Sequence, residues 1–173
     1  MSRHILVTGA SRGIGAAVAE HFIALGDQVV ALSRSGSAPK GCAKSLTVDV
    51  AKSDEVTSAI KSAVGEFGPL DVCVVNAGIT RDGLALRMSD EQWREVLATD
   101  LDGAFFTARA ALSSMVRARQ GSIIFIGSVS PFIGVPGQAN YAAAKAGLVG
   151  LARALAKEVA SRASPTRPAF AAA

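Results

Sequence analysis

The chain predicts an α/β domain on a doubly wound parallel sheet, and three observations carry that expectation. Strand-like and helix-like segments alternate from end to end with no linker or repeat between them. The first strand pattern runs straight into closely spaced glycines and then into a helical pattern. Gly9–Gly15, Asp49, Asn76–Gly78 and Ser128 all fall at strand carboxyl ends, the rim where such sheets bind ligands.

The elements follow in order. His4–Thr8 is a short apolar strand, and behind it Gly9, Gly13 and Gly15 are spaced G-x-x-x-G-x-G. Glycines at such a turn let main-chain N–H groups approach a phosphate, and the next helix adds the positive end of its dipole. Ile14, Ala17, Val18, Phe22 and Leu25 recur at the three-and-four spacing of one helix face. Residues 28–33 read as a second strand, 35–44 as a polar loop, and 45–49 as a third strand. Ser53 is placed to cap a helix over 53–67 that Gly68–Pro69 ends. Residues 71–76 form a fourth strand, broken by Ala77–Gly78. Ser89 and Gln92 make a capping box for one long helix over 89–119. Ile123–Ile126 is a continuous apolar run, expected of a strand covered on both faces. A loop with two prolines precedes a helix over 138–162.

Composition excludes several classes. The 173 residues suit one domain, and no apolar stretch nears the roughly 18 residues a membrane span needs. Cys42 and Cys73 lack C-x-x-C spacing and read as free thiols of a reducing, cytoplasmic compartment. A net charge of +4, scattered, gives no basic stripe for nucleic acid. The two histidines, His4 and His21, lie near no cysteine, so no metal site is expected.

The most informative spacing is Tyr141 followed four residues later by Lys145, with Ser128 thirteen residues upstream. Four residues place phenol and ammonium on one helix face. A phenol titrates near pH ~10, and an ammonium within a few ångströms lowers that by roughly 1–3 units. A proton donor and acceptor near neutrality suits carbonyl–alcohol chemistry.

Thr8–Gly15, Asp49–Val50, Asn76–Ala77–Gly78, Ser128 and the Tyr141–Lys145 pair together resemble the short-chain dehydrogenase/reductases, over nearly the whole chain and in the family's order. Within that family, residues 76–82 and 137–141 look like 3-oxoacyl-acyl-carrier-protein reductases, with acetoacetyl-CoA reductases nearly as similar. The resemblance implies a Rossmann-like cofactor domain over 1–162. In it Gly9, Ser11, Arg12, Gly13, Ile14 and Gly15 cradle the pyrophosphate. Asp49 and Val50 meet the adenine, and Asn76, Ala77 and Gly78 line the ribose. It implies that Ser128 holds the ketone oxygen, Tyr141 gives the proton, and Lys145 binds the nicotinamide ribose. The cofactor is expected to be NADPH: the second strand ends in Ser33–Arg34 without an acid, and guanidinium groups at Arg12 and Arg34 suit a 2′-phosphate. The substrate is expected to be a ketone, free or bound to acyl-carrier protein or coenzyme A.

Two departures bear on function. Asp100, the fourth catalytic candidate that the resemblance implies, stands where most of the family has asparagine, whose main-chain carbonyl holds a relay water, a backbone role that would survive the change of side chain. Beyond 162 the resemblance stops, and 163–173, with Pro165 and Pro168, reads as a disordered tail. That pattern implies truncation: loss of the last two strands and the substrate lid, an exposed Ile123–Ile126 edge, and weak turnover. The alternative to an active reductase is therefore a catalytically impaired dinucleotide-binding remnant or sensor. Either would associate with copies or full-length relatives through the helices at 89–119 and 138–162.

Overall fold

A computed structural model describes residues 2–160 and 169–171. Among them, strands β1 (His4–Thr8), β2 (Gln28–Ser33), β3 (Lys44–Thr47), β4 (Val72–Val75), β5 (Ser122–Ile126) and β6 (Ala169–Ala171) form one sheet. Its order is β3-β2-β1-β4-β5-β6, with every pairing parallel. The doubly wound expectation holds. The chain leaves β1 toward β2 on one side and reaches β4 on the other, so the sheet changes direction beside β1, where a ligand crevice opens.

Alternation within the strands builds a core on each face. Leu6, Val30, Leu32, Cys73 and Val75 point to the side covered by α2 (Ser53–Phe67), α4 (Gly103–Ala118) and α6 (Ala139–Val159). Ile5, Val7, Val29, Ala31 and Val74 point to the side covered by α1 (Gly13–Ala24). Both faces being covered explains why β1, β2 and β4 are nearly unbroken apolar runs.

Several expectations need correction. In α1 the residues turned inward are Gly15 and Ala19, while Ile14 and Leu25 are 48% and 57% exposed. Val18 and Phe22 do pack on the core. Lys52, not Ser53, occupies the N-cap of α2, and the Ser53 hydroxyl instead accepts from Arg109. The expected helix over 89–119 is three pieces: α3 (Asp90–Leu97), a π-helical turn (Ala98–Asp102) and α4. Its capping box is present: the Gln92 N–H donates to Ser89 Oγ at 3.2 Å, and the Ser89 N–H donates to Gln92 Oε1 at 2.9 Å. The loop after β5 contains the short helix α5 (Ser130–Ile133).

The expected tail over 163–173 lies largely outside the described residues. At 169–171, however, the expectation of neither strand nor helix is overturned. These residues pair in parallel with Ile124–Ile126, so that stretch of the β5 edge is covered rather than bare. An apolar strand with unpaired main-chain groups on its outer edge favours any extended apolar segment within reach.

Candidate active site

The glycine turn is shaped by close approach. Gly9 has φ +68°, and a Cβ there would lie 2.9 Å from both Ala77 Cα and Asn76 Nδ2. Gly15, buried at the start of α1, faces the Gly9 carbonyl and Asn76 Nδ2 so closely that a Cβ has no room. The Asn76 amide fastens this corner by donating to Thr8 O at 3.0 Å and Gly9 O at 3.3 Å. The Thr8 hydroxyl in turn accepts the Asn76 and Ala77 N–H groups at 3.0 and 3.1 Å. These bonds hold the ends of β1 and β4 together at the sheet's switch point.

A cleft of about 640 Å³ opens over that corner. Gly9, Ser11, Arg12, Gly13, Ile14, Arg34, Asp49, Val50, Asn76, Ala77 and Gly78, the candidate cofactor residues, line it together. Gly15 supports it from behind. The exposure of Ile14 now has a reason, since its side chain borders the cleft instead of the sheet. Asp49 Oδ1 accepts the Ala51 N–H at 3.1 Å, which fixes the carboxylate at the cleft's edge. Sequence reasoning missed Ser33, Ser35, Ser37, Val48, Ile79 and Thr99. The serine alternation after β2 was a usable sign, because short hydroxyl side chains beside Arg34 suit a polar ligand. The cleft fits a dinucleotide: it has a cramped glycine turn, the α1 N-terminus and two exposed guanidinium groups at Arg12 and Arg34.

The second part of the site adjoins this cleft through Ile79, whose N–H donates to Asp100 Oδ1 at 2.8 Å. Asp100 is 1% exposed, and its Oδ2 lies 3.7 Å from Lys145 Nζ. Lys145, 5% exposed, donates to the Ile126 carbonyl at 3.1 Å and sits 5.5 Å from the Tyr141 ring centroid. The spacing of four thus does place both on one face of α6. The Ser128 hydroxyl lies beside the phenol, where it favours phenolate. Ser128 Oγ also accepts the Ser130 N–H at 3.1 Å. Behind it, Ser130 Oγ donates to Gln138 Oε1 at 2.9 Å, and Gln138 Nε2 donates to Asp82 at 3.3 Å. Asn140, fully buried, donates to the carbonyls of Arg81 and Gln92 and accepts the Tyr141 N–H at 2.8 Å. Gln138 and Asn140 therefore fix the loop and the start of α6 around the serine and tyrosine. Their place immediately before Tyr141 was the available signal.

The electrostatics overturn one expectation. The Tyr141 phenol is raised above its ordinary value, not lowered: burial disfavours phenolate, and the carboxylates of Asp100 and Asp82 add to that effect. Lys145 directs its ammonium toward the Ile126 carbonyl and the Asp100 carboxylate. Burial lowers the Lys145 ammonium while Asp100 opposes that shift, and burial pushes Asp100 itself up to about 6.

The short chain dehydrogenase family matches residues 3–163. The chain belongs to that family. It is 44% identical over 164 residues to a 3-oxoacyl-(acyl-carrier-protein) reductase FabG of Salmonella typhimurium, covering 91% of this chain and 67% of that protein. The same proportions hold for the FabG of Escherichia coli. For the FabG of Staphylococcus aureus strain Mu50 the identity is 45% over 174 residues, covering 94% of this chain and 70% of the relative. Membership makes the chain an oxidoreductase by family. Among the described residues, no helix is long and apolar enough to cross a membrane.

Proposed function

We propose that this chain reduces a 3-oxoacyl thioester, carried by acyl-carrier protein or coenzyme A, to the 3-hydroxyacyl thioester at the expense of NADPH. One observation carries the reading: Ser128, Tyr141 and Lys145 gather at the strand carboxyl ends, joined to a dinucleotide-sized cleft through Asp100 and Ile79. The names of the relatives support the substrate class.

Bound NADPH would supply the hydride to the ketone carbon. The glycine turn and the α1 N-terminus would hold its pyrophosphate, Asp49 its adenine, and Arg12 and Arg34 its 2′-phosphate. The Ser128 hydroxyl donates to the ketone oxygen and stabilises the charge developing there. Tyr141, kept protonated at neutral pH by burial, gives its proton to that oxygen as the carbonyl becomes an alcohol. Lys145, anchored on the Ile126 carbonyl, would hold the nicotinamide ribose through its remaining donors. A cytoplasmic location and self-association through the outer faces of α4 and α6 accompany this reading.

A second reading, a dinucleotide binder without turnover, has its own support. Among the described residues the cleft's lining runs from Gly9 to Thr99, so most of a dinucleotide's contacts lie apart from Ser128, Tyr141 and Lys145. Mixing the purified chain with NADPH and acetoacetyl-CoA, and following loss of reduced-cofactor absorbance, decides between them. Turnover that Tyr141→Phe abolishes supports the reductase. A saturable change in NADPH fluorescence with no turnover overturns it in favour of the binder.

A further inference from the structure

A buried carboxylate is costly unless it is paired and hydrogen-bonded. Asp100 is half-provided. Its Oδ1 accepts the Ile79 N–H at 2.8 Å, while its buried Oδ2 has no hydrogen-bond partner among the described residues and faces the Lys145 ammonium at 3.7 Å. An asparagine would serve Ile79 equally well through its amide oxygen, so that backbone contact does not explain a charged side chain here. What the charge can act on is limited. From α6, Tyr141 and Lys145 face it; from the loop after β4, Asp82 contributes a more distant, exposed carboxylate; Ser128 is neutral.

We propose that the Asp100 carboxylate is a positioning counter-charge to Lys145, which keeps the Tyr141 phenol in its proton-donating form. The proposal rests on the reading of Tyr141 as proton donor. An ammonium beside a phenol favours phenolate, and a carboxylate directly behind that ammonium cancels much of its field. Asp100 therefore acts in one direction on both partners: it raises Lys145 against burial and raises Tyr141 along with burial. Both protons are retained to higher pH. With its own titration near 6, Asp100 is charged at neutral pH and loses this influence only on acidification. The role differs from holding a water on a main-chain carbonyl, because it belongs to the side chain.

Tyr141 is the only tyrosine in the sequence, so the ultraviolet absorbance of phenolate titrates this one group in the full chain, without substrate or cofactor. In Asp100→Asn the phenol midpoint is expected to move to lower pH, and to move further than in Asp82→Asn. The alkaline limb of NADPH-dependent acetoacetyl-CoA reduction should shift the same way. An unmoved or raised midpoint in Asp100→Asn, or one that Asp82→Asn reproduces, overturns the proposal. Asp100→Ser, which also removes the charge, answers the question if Asp100→Asn does not fold. Failure of both to fold makes Asp100 a structural residue and likewise overturns it. A shifted midpoint in a chain without turnover counts against the reductase reading alone; turnover with an unmoved midpoint counts against this inference alone.

Discussion

Replacing Gly15 by alanine tests whether the glycine turn is governed by close approach. The added methyl would meet the Gly9 carbonyl and Asn76 Nδ2, both already held in place. Overpacking of this kind costs roughly 1–3 kcal/mol. Displacing Asn76 would loosen two amide hydrogen bonds, at roughly 0.5–1.5 kcal/mol each. Alanine's better helix propensity returns about 1 kcal/mol. The net loss is about 3 kcal/mol, or roughly 6–12 °C in melting temperature for a domain of this size. Gly13→Ala is the control. Gly13 has φ +58° with nothing within 4 Å of its added Cβ, so only the left-handed backbone penalty of roughly 1–2 kcal/mol applies. Thermal melts followed by circular dichroism, with NADPH titrations by fluorescence, would compare the two. If Gly15→Ala melts no lower than Gly13→Ala, the steric account of this corner is wrong.

Tyr141→Phe should lower reduction by roughly 10²–10⁴-fold while leaving NADPH affinity within a few-fold, measured by steady-state rates and fluorescence titration. Arg34→Ala should weaken NADPH binding by roughly tenfold or more while leaving NADH binding nearly unchanged, since only NADPH offers the 2′-phosphate. His4 provides a pH signature. Its ring is buried against Phe67 and donates from Nδ1 to the Gly68 carbonyl at 2.8 Å, and burial lowers its pKa from 6.5. The unfolded chain therefore binds the proton more readily. The His4 contribution is intact above pH 6.5 and is lost as pH falls through the folded value. Denaturant midpoints should drop on acidification through this range in the parent and less steeply in His4→Gln.

How much of this was legible in the sequence depends on whether the deciding contact was local. β1, β2 and β5 announced themselves because strands covered on both faces need unbroken apolar runs. The Ser89–Gln92 capping box was legible because all its partners lie within four residues. Ile14 was misplaced because helical periodicity cannot tell a residue facing the sheet from one facing a cleft. β6 was missed because a segment of only three residues becomes a strand only beside the β5 edge. The sign of the Tyr141 shift was missed for a related reason: its largest cause is burial, which only the fold supplies, and the Asp100 carboxylate that adds to it comes from a different helix.

That carboxylate reaches the site because the helix from Asp90 to Ala118 widens at Ala98–Asp102. Val96, Asp100, Ala104 and Ala108 are all buried at steps of four residues. In a regular helix, the twelve residues from 96 to 108 would overshoot three turns by about 120°, turning one end out of the core. Absorbing one extra residue leaves an overshoot of about 20°, and the π turn does this. Deleting Thr99 should therefore let α3 and α4 join as one regular helix with both apolar faces still inward. Asp100, now three residues beyond Val96, would swing about 60° off that face and away from Lys145. The expected outcome is a cooperative melt close to the parent's, with the phenol titration moved to lower pH as in Asp100→Asn. A folded deletion variant whose phenol titrates like the parent's would show that the widened turn does not place this charge. A variant that fails to fold would show that the turn is needed for packing itself.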